Sequence, residues 1–271
     1  MKLEGKVAVI TGVGPNIGRA VALAFAREGA KVAVNHRRPE QADSTVKMIN
    51  DAGGEAMAIP CPIADEDAVR AAVAQVVAAW GKVDVLVNNA AQINPKGVLN
   101  MPFDEFKEQV SSIVDGTFVW TKYAAQSMVE LGVRGSIINV VTCAAWQGEP
   151  GNIGYTTAKA GVVNFTRSAA MELAEHGIRV NNMTPTATEV EDEEALARRA
   201  ARAASRPARR HTMDYDAIPL GRKPTPSDYV PAFVYLASDD SAMVTGTNLA
   251  VDGGVLAKYW PWYPEVAPAG G

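Results

Sequence analysis

The chain has little from which a disulfide framework or a metal centre could be built. It holds two cysteines in 271 residues, Cys61 and Cys143. Two thiols in a chain this long do not define a scaffold, and they suit a reducing compartment. The three histidines, His36, His176 and His211, are scattered, and neither cysteine has a partner at ligand spacing. A bound metal is therefore not expected. No uninterrupted apolar run reaches membrane-spanning length, and the first residues, from Met1 to Lys6, lead directly into a strand pattern. We expect no membrane segment and no signal peptide, and hence a cytoplasmic protein. Positive charge is not in excess either. A net charge of −4 argues against a general nucleic-acid binder. What is present is apolar bulk: 48% hydrophobic against 21% charged residues, enough for one sizeable domain with a full core.

Short β-rich runs alternate with Ala-rich helical stretches. The pattern predicts strands over 6–11, 31–36, 55–60, 83–88, 136–141, 179–183 and 248–251. Helices are predicted over 17–28, 39–52, 66–80, 102–131, 152–176 and 227–238. Such alternation implies an α/β fold: a Rossmann-like, doubly wound parallel sheet in three layers, forming a single domain. Apolar runs such as Val83-Asp84-Val85-Leu86-Val87 suit strands buried on both faces. There is no internal repeat and no clean linker. Two stretches break the pattern, a charged segment over 189–211 and an aromatic, Pro-rich tail over 258–271.

The chemistry-bearing residues fall at two ends of this pattern. Thr11-Gly12-Val13-Gly14-Pro15-Asn16-Ile17-Gly18 lies between the first strand and the first helix. There a doubly wound fold binds a dinucleotide pyrophosphate, because glycines admit the phosphates and helix N-terminal N–H groups face their charge. The spacing is not G-x-G-x-x-G, so a tight strand-to-helix turn is the competing reading. Further on, Tyr155 and Lys159 stand at i and i+4, on one face of a helix, with Thr142 thirteen residues before the tyrosine. A phenol near pKa ~10 holds its proton too tightly for exchange at neutral pH, and a nearby ammonium lowers that value. The pair suits carbonyl/alcohol interconversion, although a surface Tyr–Lys pair has the same spacing.

Taken together, these motifs resemble the short-chain dehydrogenases/reductases. That family's T-G-x-x-x-G-x-G loop matches Thr11, Gly12 and Gly18, with Asn16 in place of the middle glycine. Asn tolerates left-handed backbone, which would let the loop survive the change. Asn88-Asn89-Ala90-Ala91 is similar to its N-N-A-G, and Thr142, Tyr155 and Lys159 to its S…Y-x-x-x-K. Arg179-Val180-Asn181, Ile218-Pro219-Leu220-Gly221-Arg222 and Val251-Asp252-Gly253-Gly254 resemble its later motifs. The resemblance covers about 5–255. It implies a catalytic and dinucleotide-binding domain over 1–257 with a substrate lid at about 187–217, followed by the tail.

The resemblance also implies roles. Tyr155 gives or takes the proton of the reacting oxygen, Lys159 lowers its pKa and bonds the nicotinamide ribose, and Thr142 donates to the carbonyl oxygen. The implied cofactor contacts are Thr11, Gly12, Gly14, Asn16, Ile17, Gly18, Arg37, Ile63, Asn89, Ala90, Tyr155, Lys159, Pro185 and Thr188. Asn35-His36-Arg37-Arg38 has no acidic residue to meet the adenosine ribose, and Arg37 could pair with a 2′-phosphate, so NADP(H) is favoured and NAD(H) is the alternative. Pro62 replaces an Asp often found near the adenine, leaving the Ile63 N–H. Ile113 stands where relatives carry an Asn that supports a water chain, and Thr186 where they carry a glycine. Substrate contacts are expected from Gln92, Ala144, Trp146 and Gln147. Arg198, Arg199, Arg202, Arg206, Arg209 and Arg210 make the lid either a basic clamp for an anionic substrate or merely a solvated helix. The tail would pack at a subunit interface or wall a pocket of the homotetramer that the resemblance implies. The expected activity is an NAD(P)-dependent oxidoreductase of a small-molecule ketone or secondary alcohol. The alternatives are a 3-oxoacyl thioester reductase and a non-catalytic NADP-binding regulator.

Overall fold

β-branched runs with both faces apolar can only be satisfied inside a layered structure, and the computed structural model places them there. It describes residues 1–190, 196–197, 200 and 218–259. Most of the expected lid, including all six of its arginines, and the tail beyond Tyr259 lie outside these residues. The strands are β1 (Val7–Thr11), β2 (Lys31–Asn35), β3 (Ala56–Ala58), β4 (Val85–Asn88), β5 (Ser136–Val140), β6 (Arg179–Pro185) and β7 (Asn248–Val251). The helices are α1 (Ile17–Arg27), α2 (Pro39–Asp51), α3 (Glu66–Trp80), α4 (Phe103–Glu130), α5 (Ile153–Leu173) and α6 (Pro226–Ala237).

All strand pairs are parallel, in the order β3-β2-β1-β4-β5-β6-β7. Successive side chains point to opposite faces. Ala8, Ile10, Val32, Val34, Val85, Val87 and Ile138 therefore pack with Phe25 of α1 and with Tyr229 and Phe233 of α6. Val7, Val9, Ala33, Leu86, Ile137 and Val180 pack on the other face with Val73 of α3 and Trp120 of α4. This is the expected three-layer arrangement. The order reverses between β1 and β4, and the crevice at the C-terminal ends of these two strands is where such sheets bind ligands.

The expected boundaries move where local geometry overrides pattern. The helix predicted over 152–176 ends at Leu173, tightens into a 3₁₀ turn over Ala174–His176 and closes on Gly177 at φ 69°. β6 runs two residues further than predicted, because Thr184 and Pro185 still pair with Ala250 and Val251. β3 shrinks to three residues, and an unforeseen 3₁₀ turn, Cys143–Ala145, follows β5.

Two sets of polar side chains hold the site-bearing elements in place. Asn88 Nδ2 donates to Asn139 Oδ1 (2.8 Å), Asn139 Nδ2 to Thr166 Oγ1 (2.8 Å), and Thr166 Oγ1 to Asn182 Oδ1 (2.7 Å). This buried chain links β4, β5 and β6 to α5. The Arg179-Val180-Asn181 motif has a structural use. Arg179 Nη2 donates to the Leu236 and Ser238 carbonyls (2.9 and 3.1 Å) at the end of α6. Asn181 donates to the Val244 carbonyl (2.7 Å) and accepts from the Thr247 N–H (3.1 Å). Replacing Asn181 by Leu keeps the branched shape but strands the Thr247 N–H and leaves the Val244 carbonyl only a 3.5 Å contact from Arg179 Nη1. We expect a loss of about 2–3 kcal/mol, seen as a lower urea midpoint with an unchanged slope.

Candidate functional site

The loop between β1 and α1 is shaped by contact with the loop after β4. Gly12 adopts φ 68°, and a Cβ there would sit 2.5 Å from Ala90 Cα, so glycine is required on both counts. Thr11 Oγ1 accepts from the N–H groups of Asn89 and Ala90 (3.0 and 3.1 Å). Asn89 Nδ2 returns bonds to the carbonyls of Thr11 and Gly12 (3.1 and 2.9 Å). Thr11 and Asn89, expected at the cofactor, thus direct their polar side-chain atoms to joining the two loops. The Asn16 expectation needs correction. Its backbone is extended (φ −165°, ψ −144°), and among the described residues only glycines have positive φ. Left-handed tolerance is not what lets Asn16 stand in this loop.

Asn16 is the N-cap of α1 but makes no side-chain cap bond, so the N–H groups of Ile17 and Gly18 are left without that partner. A Cβ at Gly14 would meet only His36 Nε2, 3.8 Å away. An uncapped helix N-terminus behind an open glycine, at the switch point of the sheet, fits a dinucleotide pyrophosphate.

At the end of β2 the structure identifies two residues that the sequence reading passed over. Asn35 is buried, and its Nδ2 reaches the carbonyls of Ile59 (3.0 Å) and Cys61 (3.2 Å) and the Cys61 thiol (3.2 Å). It thereby positions the Pro62-Ile63 segment, which lies so close to α4 that a Cβ on Gly116 would come 2.9 Å from Ile63 Cγ1. A polar residue ending an otherwise apolar strand was the available signal. His36 lies beside the glycine loop, and its Nδ1 accepts from the Arg38 N–H (3.0 Å). Burial lowers its pKa, and the Arg38 and Arg37 charges add to that. Arg37 is exposed and forms no ion pair among the described residues.

The three candidate catalytic groups converge. Thr142 is extended just after β5 (φ −166°), and its hydroxyl accepts from the Ala144 N–H (3.3 Å) and acts on the nearby Tyr155 phenol. Lys159 is 2% exposed, with Nζ 5.9 Å from the centre of the Tyr155 ring and donating to the Val140 carbonyl at 2.6 Å. The expected lowering of the Tyr155 pKa is not found. Burial pushes it up to about 12, with the Thr142 hydroxyl pulling the other way and the Glu149 charge adding a smaller push. Lys159 does not offset this, because its ammonium is directed at the Val140 carbonyl and burial lowers its own pKa to about 8.

Ile113 is buried against Val141, Ala158 and Val162, with Tyr155 packed on the same cluster, so this face of α4 is apolar beside the tyrosine. Ser112 and Asp115 point elsewhere, to the Gln109 carbonyl (3.0 Å) and to Ser111. One turn before Ile113, buried Gln109 donates to the Gln92 carbonyl (3.1 Å).

The expected substrate wall divides. Ala144, Trp146 and Gln147 line an open depression of about 310 Å³ whose other wall is Thr156, Thr157 and Ala160. Those residues lie some 100–200° around α5 from Tyr155, and neither Thr142, Tyr155 nor Lys159 borders the depression. The converging Thr142, Tyr155 and Lys159 side chains mark the chemical centre, and this depression is on the flank of α5. Trp146 Nε1 donates to Thr184 Oγ1 (3.4 Å), and the Arg167 guanidinium sits over the indole at 5.8 Å. The Gln92 amide turns to Glu108 (3.4 Å). Pro185, expected beyond the sixth strand, is instead the last residue of β6, and the Thr188 hydroxyl is engaged with Tyr229 (2.9 Å) and the Thr186 carbonyl (3.0 Å), a turn-locking contact. The closing motif reaches the same region. Asp252 accepts from the N–H groups of Gly254 (2.9 Å) and Leu256 (2.8 Å) and from the thiol of Cys143 (3.6 Å), the neighbour of Thr142. Among the described residues no cluster could hold a metal ion, and no helix is long and apolar enough to cross a membrane.

A glycine loop at the switch point of the sheet, together with a converging tyrosine–lysine–threonine group, marks a dinucleotide-dependent oxidoreductase. Comparisons with known proteins give the family. A family model described as Enoyl-(Acyl carrier protein) reductase matches residues 12–256. An uncharacterized oxidoreductase of Bacillus subtilis is 36% identical over 96% of this chain and 94% of its own. An L-rhamnose 1-dehydrogenase (NAD(P)(+)) of a Sphingomonas species is 36% identical over 94% of this chain and 98% of its own. The solved structure of an NAD+-bound xylitol dehydrogenase superposes with a TM-score of 0.86 at 30% identity, covering 94% and 100% of the two chains. The chain belongs to the short-chain dehydrogenases/reductases, NAD(P)-dependent oxidoreductases that act on alcohol and carbonyl groups.

The buried lysine makes a stability prediction. Between about pH 8, its folded value, and 10.5, its ordinary value, the unfolded chain holds a proton that the folded chain has released. Stability therefore rises with pH through this window. Tyr155, pushed upward from 10, acts with the opposite sign only above pH 10. Comparing urea midpoints of the parent and Lys159→Met from pH 8 to 10, we expect a differential gain on the order of 2 kcal/mol in the parent. Parallel curves would contradict the lowered lysine.

Proposed function

We propose that the protein reduces a ketone, or oxidises the matching secondary alcohol, with Tyr155 as the acid/base and NADP(H) as the preferred cofactor. The observation that carries this reading is the convergence of Thr142 and Tyr155 with the Lys159 ammonium, which is buried 5.9 Å from the centre of the Tyr155 ring. The dinucleotide would lie along Gly12, Gly14, Ile17 and Gly18, with Arg37 at a 2′-phosphate, Ile63 at the adenine, and Ala90 and Pro185 towards the nicotinamide. When bound, it supplies the hydride. Tyr155 gives its proton to the carbonyl oxygen, and the Thr142 hydroxyl orients that oxygen. Lys159, with a pKa near 8, can exchange its own proton at working pH and favours the phenolate once its ammonium turns towards the ring. NAD(H) is the weaker alternative: the rhamnose dehydrogenase carries NAD(P)(+) in its name, and the xylitol dehydrogenase structure holds NAD+. We further propose a cytoplasmic homotetramer. Exposed Phe118, Val129 and Met171 on α4 and α5 support self-association.

Two variants test this. Tyr155→Phe should lower turnover by at least ~10²-fold, the scale of general acid catalysis, while NADPH binding followed by fluorescence stays unchanged. Unaltered turnover would remove the role of the phenol. Arg37→Asp should reduce kcat/KM for NADPH about 10–100-fold, the worth of a charge-assisted hydrogen bond, and leave NADH unaffected. An equal effect on both cofactors would remove the phosphate reading.

A further inference from the structure

In the proposed reaction a hydride and a proton must reach one carbonyl group. Ala90, on the loop after β4, would border the first transfer, and Tyr155, in the first turn of α5, makes the second. One side chain of α4 touches both elements. Gln109 is fully buried, and its Nε2 donates to the Gln92 carbonyl (3.1 Å), two residues after Ala90. That carbonyl can only accept, so it fixes which end of the amide points where. Oε1 faces the other way, onto Gly154, the residue before Tyr155. A Cβ at Gly154 would overlap Oε1 and come 3.2 Å from Cδ. Gln109 Oε1 has no hydrogen-bond partner among the described residues. Filling this space for stability alone would call for an apolar side chain, because an unpaired buried amide oxygen is costly. The rest of the loop is seated on the same two helices. Asn94 and Lys96 both donate to the Glu105 carboxylate of α4, and the Lys96 carbonyl accepts from the Ile153 N–H (3.2 Å) at the start of α5. Asn152 gives α5 no side-chain cap, so these contacts, with the helix's own backbone bonds, locate its first turn.

We infer that Gln109 is a positioning residue: its amide holds the first turn of α5 at a set distance from the loop after β4, and so fixes where the Tyr155 hydroxyl stands relative to the reacting carbon. This rests on the proposed function above. A displacement of about 1 Å at a reacting group costs on the order of 10²-fold in rate. Gly154 is one residue from Tyr155, and the amide packed on it cannot simply swing aside. It is buried, and its NH₂ is held by the Gln92 carbonyl. A methyl group at position 154 must therefore push the turn away or pull Gln109 off the loop. Alanine is the better helix former, so a loss on that substitution comes from the contact and not from helix propensity.

The test is steady-state kinetics with NADPH and two ketones, cyclohexanone and 2,3-butanedione. Gly154→Ala should lower kcat about 10–100-fold, with NADPH binding by fluorescence unchanged. Adding Gln109→Ala vacates the space that the new methyl group needs. The double variant should therefore recover kcat about tenfold over Gly154→Ala, while KM stays raised because the loop remains untied. In a Tyr155→Phe background, Gly154→Ala should cost no further kcat, since the hydroxyl it would displace is gone. Urea midpoints of the same variants give the folded fraction under assay conditions. An equal loss with and without the phenol, a double variant no faster than Gly154→Ala, or rates that fall only with the folded fraction would overturn the inference and leave the proposed function intact. No turnover of either ketone by the parent with NADPH still bound, or full turnover by Tyr155→Phe, would remove the proposed function and this inference with it.

Discussion

The arrangement depends first on a short set of hydrogen bonds at the point where the sheet reverses direction. Thr11 and Asn89 bind the loops after β1 and β4 to one another, at distances of 2.9–3.1 Å, with Gly12 pressed against Ala90. Parallel strands buried on both faces leave no polar surface except at their ends. All chemistry is therefore confined to the C-terminal rim, and the rim is only as well defined as its loops. The clamp holds the glycine loop open at Gly14 and leaves the α1 N-terminus without a side-chain cap, which is what an anion requires.

A second constraint follows from burial. Lys159 is carried into the interior by α5, and one carbonyl, that of Val140, receives its ammonium. The result is a lysine of lowered pKa beside a tyrosine of raised pKa, the reverse of what an ion-pair argument alone predicts. Both shifts have the same origin, since desolvation penalises whichever form is charged. The free site is therefore held in its uncharged-leaning form. Ile113, in the place of a usual Asn, reinforces this by making the adjacent face of α4 apolar. The buried chain from Asn88 through Asn139 and Thr166 to Asn182 fixes the strands and helix behind the cluster, so polarity is concentrated behind the site and kept from its α4 wall.

How much of this was legible beforehand depended on the range of the interaction. Among the described residues, the seven strands and the six helices named above follow from periodicity, which is local. The ends of β6 and α5 did not follow, because Pro185 is kept in the strand by its neighbour β7 and the last turn of α5 tightens onto Gly177. Thr142, Tyr155 and Lys159 could be named from spacing and order, and they do meet. Trp146 and Gln147 were expected at the substrate by proximity in sequence, and only the 3₁₀ turn after β5 shows them lining a depression on the flank of α5.

Taken by itself, the sequence determined the layered parallel fold, the place of the glycine loop after β1 and the identity of the candidate tyrosine, lysine and threonine, because these are written in periodicity and spacing along one chain. Tertiary structure alone decided which polar groups are occupied in holding loops together and which way the pKa values move. Those outcomes depend on burial and on partners distant in sequence, and neither is set until the layers have packed.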